Sequence, residues 1–279
     1  MTTFDLQAYL ERIGRPDPPP SDRGGLAALQ EAHLDAIGFD DLECALGRVP
    51  DLSLDRVQEK LVARGRGGWC FEHVVLFGAA LDALGFTAHR HVALMSPERG
   101  NDRPRTHALL RVALREGDVI ADVGLGSGPL EPLDLALRPP EPTLGGWLWG
   151  FERRGPGRWR LLTRRGDAIF PVHEFDSTPA TAEDFAVGNR HAATHPASPF
   201  PGRLIAMRRT RAEHRRLVGR TLTITSPDGR ERQERLTTEA AMTMLRDRFA
   251  IRPSREEDAA LRRLLDAPER PAPCADGRS

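Results

Sequence analysis

The sequence predicts an α+β fold in three consecutive sections, on three observations. Apolar residues recur at helical spacing up to Gly85, strict alternation replaces that spacing over the middle of the chain, and the last part returns to strands followed by two helices. A chain of 279 residues exceeds the size at which one hydrophobic core usually stops growing. We therefore expect packed sections at residues 1–85, 86–202 and 203–279.

The first section carries three amphipathic segments, "FDLQAYLERI" from Phe4, "GGLAALQEAHLDAI" from Gly24 and "SLDRVQEKLVARG" from Ser53, separated by the breakers "PDPPPSD" and "VPDL". Asp5, Asp22 and Ser53 stand where N-caps belong. The middle section alternates in "FTAHRHVALM", "THALLRVAL", "DVIADV", "GWLWGFER" and "RWRLLTR", with turns at Glu116-Gly117-Asp118 and Gly155-Pro156-Gly157. In the last section "LIAMRRT" and "TLTITSPDGRERQERL" read as strands, the second turning at Asp228-Gly229. Two helices follow, the final one opened by Ser254 and Glu257 in capping-box spacing. The Pro-rich tail from Ala267, with Cys274, is expected to fray.

Forty basic and forty acidic side chains cancel, which removes the electrostatic case for a nucleic-acid or membrane-surface partner and favours small-molecule work. Lys60 is the single lysine, so the many arginines reflect a compositional bias more than phosphate recognition. Cys44, Cys70 and Cys274 lack the paired spacing of a zinc ribbon or a disulfide scaffold, which fits a reducing compartment. The N-terminus is acidic where a signal peptide would be basic and apolar, and no apolar run approaches a membrane span. The expected location is the cytoplasm.

Cys70 draws attention within "RGRGGWCFEHVVLFGAALDALGF", residues 64–86. Gly67 and Gly68 allow a tight turn, and Phe71, Val74, Val75, Gly78 and Leu81 then form an apolar helical face. Free amides and the positive end of the helix dipole meet at Cys70, and both favour thiolate over thiol. The same position also suits a buried cysteine acting as a small hydrophobe. A nucleophilic thiol needs an imidazole and a group to orient it. His107 opens the strand "THALLRVAL" and Asp122 ends the strand "DVIADV", so neighbouring antiparallel strands can bring the two together.

Arg66-Gly67-Gly68-Trp69-Cys70-Phe71-Glu72, Thr106-His107 and Asp122-Val123-Gly124-Leu125-Gly126 together resemble the arylamine N-acetyltransferase family. "IGFDDLE" (37–43) and "EDFAVGNRHAATHPASPF" (183–200) extend the likeness over nearly the whole chain, in the right order. The resemblance implies an N-terminal helical bundle, a central antiparallel β-barrel and a C-terminal α/β lid around a cysteine-protease-like core. It implies Cys70 as acyl acceptor, His107 as base and Asp122 as its orienter. It also implies acetyl coenzyme A as the acyl-donor substrate, an arylamine or hydrazine as acceptor, and no permanently bound cofactor.

Phe39 and Phe200 match positions that line the aryl pocket, and Gly124 and Gly126 match a turn near the pantetheine channel. Trp69, Phe71, Thr106 and Leu125 lie in the same motifs and join them as candidate substrate contacts. Arg66 and Glu72 are expected to form a structural ion pair, since a free carboxylate beside Cys70 would oppose the thiolate. Leu125, Val74, Gly38 and Asp41 depart from the family's usual Phe, Asn, Pro and Asn. The altered pocket keeps open a related activity, that of amide synthases which release a polyketide chain from an acyl carrier protein with the same three residues. The order Cys, His, Asp is shared with transglutaminase-like and papain-like hydrolases, but the Arg-Gly-Gly-x-Cys-x-Glu segment speaks against them.

"GLGSGP" (124–129) is not a dinucleotide fingerprint, because Pro129 and Pro132 stand where a helix should open. His89 and His91 share a strand face that we read as solvated, with no metal site; His73, His173, His191, His195 and His214 make no stronger case.

Overall fold

In the computed structural model, which describes residues 4–100, 102–165 and 168–268, the helical spacing of the first section becomes α1 (Leu6–Arg12), α2 (Arg23–Ala36), α3 (Leu42–Ala45), α4 (Leu54–Gln58) and α5 (Cys70–Ala83). The tail with Cys274 lies outside the described residues. Asp5 and Asp22 cap α1 and α2 by accepting from the amides of Ala8 and Gly25. Ser53 stands at the N-cap of α4 but does not cap it: its hydroxyl donates 2.8 Å to Asp51, a charged acceptor two residues away. A short strand, β1 (Phe39–Asp40), leaves the end of α2, and a π turn at Glu59–Ala63 continues α4. Helix α5 is buried on nearly every side, as an all-round apolar helix must be.

The alternating middle section forms β2 (Thr87–Met95), β3 (His107–Ala113), β4 (Val119–Ala121), β5 (Leu133–Asp134), β6 (Glu141–Pro142), β7 (Leu148–Gly155), β8 (Arg158–Arg165) and β9 (Ala168–Asp176). They make one antiparallel sheet in the order β5-β4-β3-β2-β9-β8-β7-β6. Ala93, Leu109, Ile120, Leu133, Phe151 and Phe175, drawn from six of its strands, pack into one core, so the sheet curls. Among the described residues β5 and β6 do not pair to close it into a barrel. The connection between its edge strands β5 and β6 is tied to β7, where Phe151 donates 2.7 Å to the carbonyl of Leu137. Pro139, Pro140 and Pro142 have no N–H to complete a ladder there.

Four elements of this section were not read from the sequence: the two-residue strands β5 and β6, strand β9 and helix α6. Strand β9 contains Pro171, which argues against a strand, yet a register shift opposite Leu161 and Leu162 absorbs it as a bulge. Helix α6 (Ala182–Thr194) is opened by a capping box of Thr181 and Asp184.

The last section supplies β10 (Ile205–Arg209), β11 (His214–Val218), β12 (Thr221–Thr225) and β13 (Glu231–Arg235), covered by α7 (Thr238–Arg248) and α8 (Arg255–Asp266). Strand β1 joins this sheet at the β10 edge, with Phe39 opposite Met207 and Asp40 opposite Ala206. Among the described residues no helix is long and apolar enough to cross a membrane.

Buried charges tie the sections together, though not as expected. Arg66 and Glu72 do not pair with each other. Glu72 is the third residue of α5, so its carboxylate turns back to accept from the Trp69 amide at 3.2 Å and meets Lys60, which reaches its two oxygens at 2.8 and 2.9 Å and Glu43 at 3.2 Å. Arg66 faces away, toward α8, and binds Glu257 there, with Asp40 at 3.8 Å. Glu257 also closes the capping box with Ser254 and accepts from Arg48 at 3.0 Å.

Although burial raises the Glu257 carboxyl, the Ser254 amide and Arg66 bring it down to about 2. A depressed carboxyl contributes stability that is present above its unfolded value of 4.5 and lost as pH falls through about 2. Glu257→Gln keeps a capping side chain but leaves buried Arg66 only the more distant Asp40 as charge partner, and should lower stability by about 3 kcal/mol in urea denaturation at neutral pH. An unchanged midpoint would mean that the pair contributes nothing.

Candidate active site

Cys70 is the first residue of α5, 6% exposed, preceded by an extended Trp69. Its Sγ lies 3.7 Å from the Thr106 carbonyl oxygen. His107 follows as the first residue of β3, and Asp122 stands one position past β4. Because β3 and β4 are antiparallel neighbours, with Leu110 opposite Ala121, the two side chains meet. His107 Nε2 donates to both Asp122 oxygens at 3.0 Å, leaving Nδ1 for the thiol.

The carboxylate has two further donors. The Leu125 amide reaches Oδ1 at 3.1 Å and His173 Nε2, on β9, reaches Oδ2 at 2.9 Å. Asp122 and His173 are both 0% exposed, so among the described residues these donors replace water around the charge. His173 is the residue that the sequence reading passed over.

Burial alone would raise Asp122, but His107 and His173 outweigh it and hold the carboxyl well below its usual range. Burial alone would lower His107, but Asp122 first, and then the interaction with Cys70, bring it up to about 10. His107 is therefore an imidazolium at neutral pH. His173 is lowered by burial in spite of Asp122, with His107 repelling a second positive charge, and is neutral. One carboxylate thus serves two imidazoles in different charge states.

His107, Asp122 and His173 are also residue types that hold metals, and their ligand atoms lie within 4.8 Å of one another. Each ring nitrogen that faces the carboxylate carries a proton, however, so the contact is a shared proton network. His91 corrects the expectation of a solvated face: it is 1% exposed, bonds through Nδ1 to the Asp176 carbonyl at 3.0 Å and packs on Phe175, while His89 is exposed. The sheet's curl carries its two ends to different surroundings.

Trp69 stands edge-on to Phe200 at 5.7 Å, and Phe71 packs between Trp69 at 5.8 Å and Phe185 at 5.3 Å. The Phe71 side chain is wholly buried in this cluster. Phe39 and Leu125 line a small cavity with Leu34, His73 and Met207. Gly124 and Gly126 permit close approach: a Cβ on Gly124 would lie 2.9 Å from Cys70, and one on Gly126 2.7 Å from Phe39.

Residues 24–257 match the family model described as N-acetyltransferase, which sets the class. The chain is 36% identical over 214 residues to the arylamine N-acetyltransferase of Mycolicibacterium smegmatis, covering 71% of this chain and 74% of that one. The crystal structure of Nocardia farcinica arylamine N-acetyltransferase superposes with a TM-score of 0.87 at 37% identity, over 95% of this chain and 96% of that chain. The structure of Mycobacterium marinum arylamine N-acetyltransferase in complex with CoA superposes at 0.83 and 30% identity, over 94% and 97%. The chain belongs to the arylamine N-acetyltransferase family, and it is a transferase.

Asp122→Asn removes the charge that sustains the imidazolium, so burial should govern and His107 should fall from about 10 to below its ordinary 6.5. Histidine NMR titration reads this directly; an imidazole still protonated at neutral pH in the variant would refute the assignment to Asp122. The stability contributed by His107 in the parent protein is fully present below 6.5 and lost as pH rises through about 10, a loss the variant should not show.

Proposed function

We propose that this chain moves an acetyl group from acetyl coenzyme A, through a thioester on Cys70, to the nitrogen of an arylamine or hydrazine. The observation that carries this reading is the imidazolium of His107 held by a buried Asp122 beside the Cys70 thiol. The imidazolium beside the sulfur is the countercharge for a thiolate, which is the attacking species.

In the first step the Cys70 thiolate attacks the thioester carbonyl, the bond to the coenzyme A sulfur breaks, and His107 gives its proton to that departing thiolate. Acetyl-Cys70, coenzyme A and a neutral His107 remain. The amine then attacks the acetyl carbonyl, His107 takes the amine proton, and collapse of the tetrahedral intermediate releases the amide and restores the thiolate–imidazolium pair. Asp122 orients the ring throughout and, with His173 and Leu125 as further donors, stays charged. The Phe71 amide is a candidate donor to the oxyanion, whereas the Trp69 amide is already bonded to Glu72.

In this reading residues 1–85 act as a helical bundle bearing the nucleophile, 86–202 as a barrel-like sheet bearing His107 and Asp122, and 203–279 as a lid, around a cysteine-protease-like core. Phe39, Trp69, Leu125 and Phe200 supply apolar wall for an aryl ring, Thr106 and the Gly124–Gly126 turn flank the thioester arm, and Arg66 and Glu72 brace the nucleophile turn. The chemistry occurs in a reducing cytoplasm, where the thiol persists. Acetyl coenzyme A is favoured over a carrier-bound polyketide because the M. marinum neighbour was solved with CoA and the M. smegmatis and N. farcinica relatives are arylamine N-acetyltransferases.

Incubation with acetyl coenzyme A should add one acetyl group to Cys70 by intact-mass analysis, and an arylamine should remove it. Cys70→Ala should take no adduct and lose turnover by at least about a thousandfold. Retained acetyl transfer in that variant would overturn the scheme, and an unlabelled parent protein would exclude acetyl coenzyme A as donor.

A further inference from the structure

Three buried side chains outside the triad form one directed chain of hydrogen bonds. Tyr9 on α1, His33 on α2 and His73 on α5 are each 1% exposed or less. The Tyr9 hydroxyl lies 2.9 Å from His33 Nδ1, and His33 Nε2 lies 2.8 Å from His73 Nδ1. His73 Nε2 reaches the carbonyls of Gly38 and Gly68 at 3.3 and 3.1 Å.

The placement of the protons follows from the acceptors. Carbonyl oxygens only accept, so His73 carries a proton on Nε2. A neutral His73 then accepts at Nδ1, which requires an N–H at His33 Nε2. A neutral His33 in turn accepts at Nδ1, from the Tyr9 hydroxyl. Burial keeps all three uncharged: it brings His73 down to about 4 against the pull of the two carbonyls, lowers His33 well below 6.5 with help from His73 and Arg12, and raises Tyr9 well above 10.

The two carbonyls at the end of this chain join the segment before Phe39 to the turn before Cys70. Gly68 N donates 3.2 Å to Gly38 O, Asp40 N donates 2.8 Å to Gly68 O, and Phe39 and Gly68 are bridge partners. His73 adds a third donor to this bridge from a position one turn beyond Cys70 in the same helix. Its ring therefore ties the thiol-bearing helix, the turn that enters it and Phe39 into one unit.

We propose that His73 is a positioning residue for acyl transfer at Cys70, with Tyr9 and His33 locking its ring in the Nε2–H tautomer. This rests on the acetyl-transfer reading above. The role is geometric, since a neutral ring bonded to backbone carbonyls takes no proton from substrate.

The test compares single-turnover acetylation of Cys70 by acetyl coenzyme A, followed by quenched-flow mass spectrometry, in the parent protein, His73→Leu and His73→Gln. Leucine fills the site without a donor, whereas glutamine carries an N–H near the Nε2 position. His73→Leu should slow acetylation by about tenfold to a hundredfold with little change in acetyl coenzyme A affinity, and His73→Gln should recover most of the rate. Long-range proton–nitrogen spectra of histidine-labelled parent protein should show His33 and His73 as neutral Nε2–H rings between about pH 5 and pH 8.

Parental acetylation in a folded His73→Leu variant, or a His73 ring that is Nδ1–H or titrates near 6.5, would overturn the proposal. If His73→Leu does not fold, a slow His73→Gln whose spectrum retains the parental hydrogen bonds also overturns it, and a fast one supports it. If the parent protein takes no acetyl group, the acetyl-transfer reading fails by itself, and the rate of Cys70 alkylation by iodoacetamide replaces acetylation in the same comparison.

Discussion

The Asp122 carboxylate is the charge around which the site is built. It is wholly buried, and a carboxylate in that position stays ionised only when donors replace the water it has lost. Those donors come from His107 at the head of β3, His173 on β9 and the amide of Leu125 in the turn after β4. Between β3 and β9 in the sheet lies β2, so the curl of the sheet is what brings the two imidazoles to one carboxylate. A flat sheet would hold them on separate strands facing solvent.

A second constraint is the fit of the turn before Cys70 between the first and last sections. Lys60 pairs with Glu72 and Glu43 on one side of the turn, and Arg66 engages Glu257 and Asp40 on the other. Both clusters are buried. Their contribution is specificity of arrangement more than net stability, because desolvation of such groups offsets much of their attraction. Glu257 shows how one side chain serves two scales: it caps its own helix locally and fastens that helix to a turn far away in the chain.

How much of this was legible in the sequence follows from the range of each interaction. Most helices, though not α3 or α6, most strands and the caps Asp5, Asp22 and Ser254 depend on neighbours a few residues apart, and could be read. The local settings of Cys70, His107 and Asp122, at a helix start and at two strand ends, were legible because each sits in a motif that fixes its backbone. His173 was not, since Pro171 disguises its strand and only the bulge at that point restores the register that carries the ring to Asp122. The partners of Arg66 were misassigned for the same reason: Glu72 is close in sequence, but its place in the first helical turn aims its carboxylate back at Trp69 and Lys60, while the true partner lies 191 residues away. The middle section was read as a β-barrel from five alternating segments; its eight strands form a curled antiparallel sheet, of which β5 and β6 left no alternation to read because each spans only two residues.

The histidines show how burial and charge together allot chemistry to one residue type. His33, His73, His91 and His173 are buried and lowered, and each finds neutral acceptors or shares a carboxylate that is already satisfied. His107 alone among these buried rings is raised, because Asp122 lies against it at 3.0 Å on both oxygens. The neutral ring of His173 is part of that outcome: as a second donor it stabilises the carboxylate without adding a positive charge that would drive the proton off His107. Under the proposed acetyl transfer, a site that holds a proton in one half-reaction and accepts one in the next needs a single ionisable ring facing the thiol, and burying the others neutral is what isolates it.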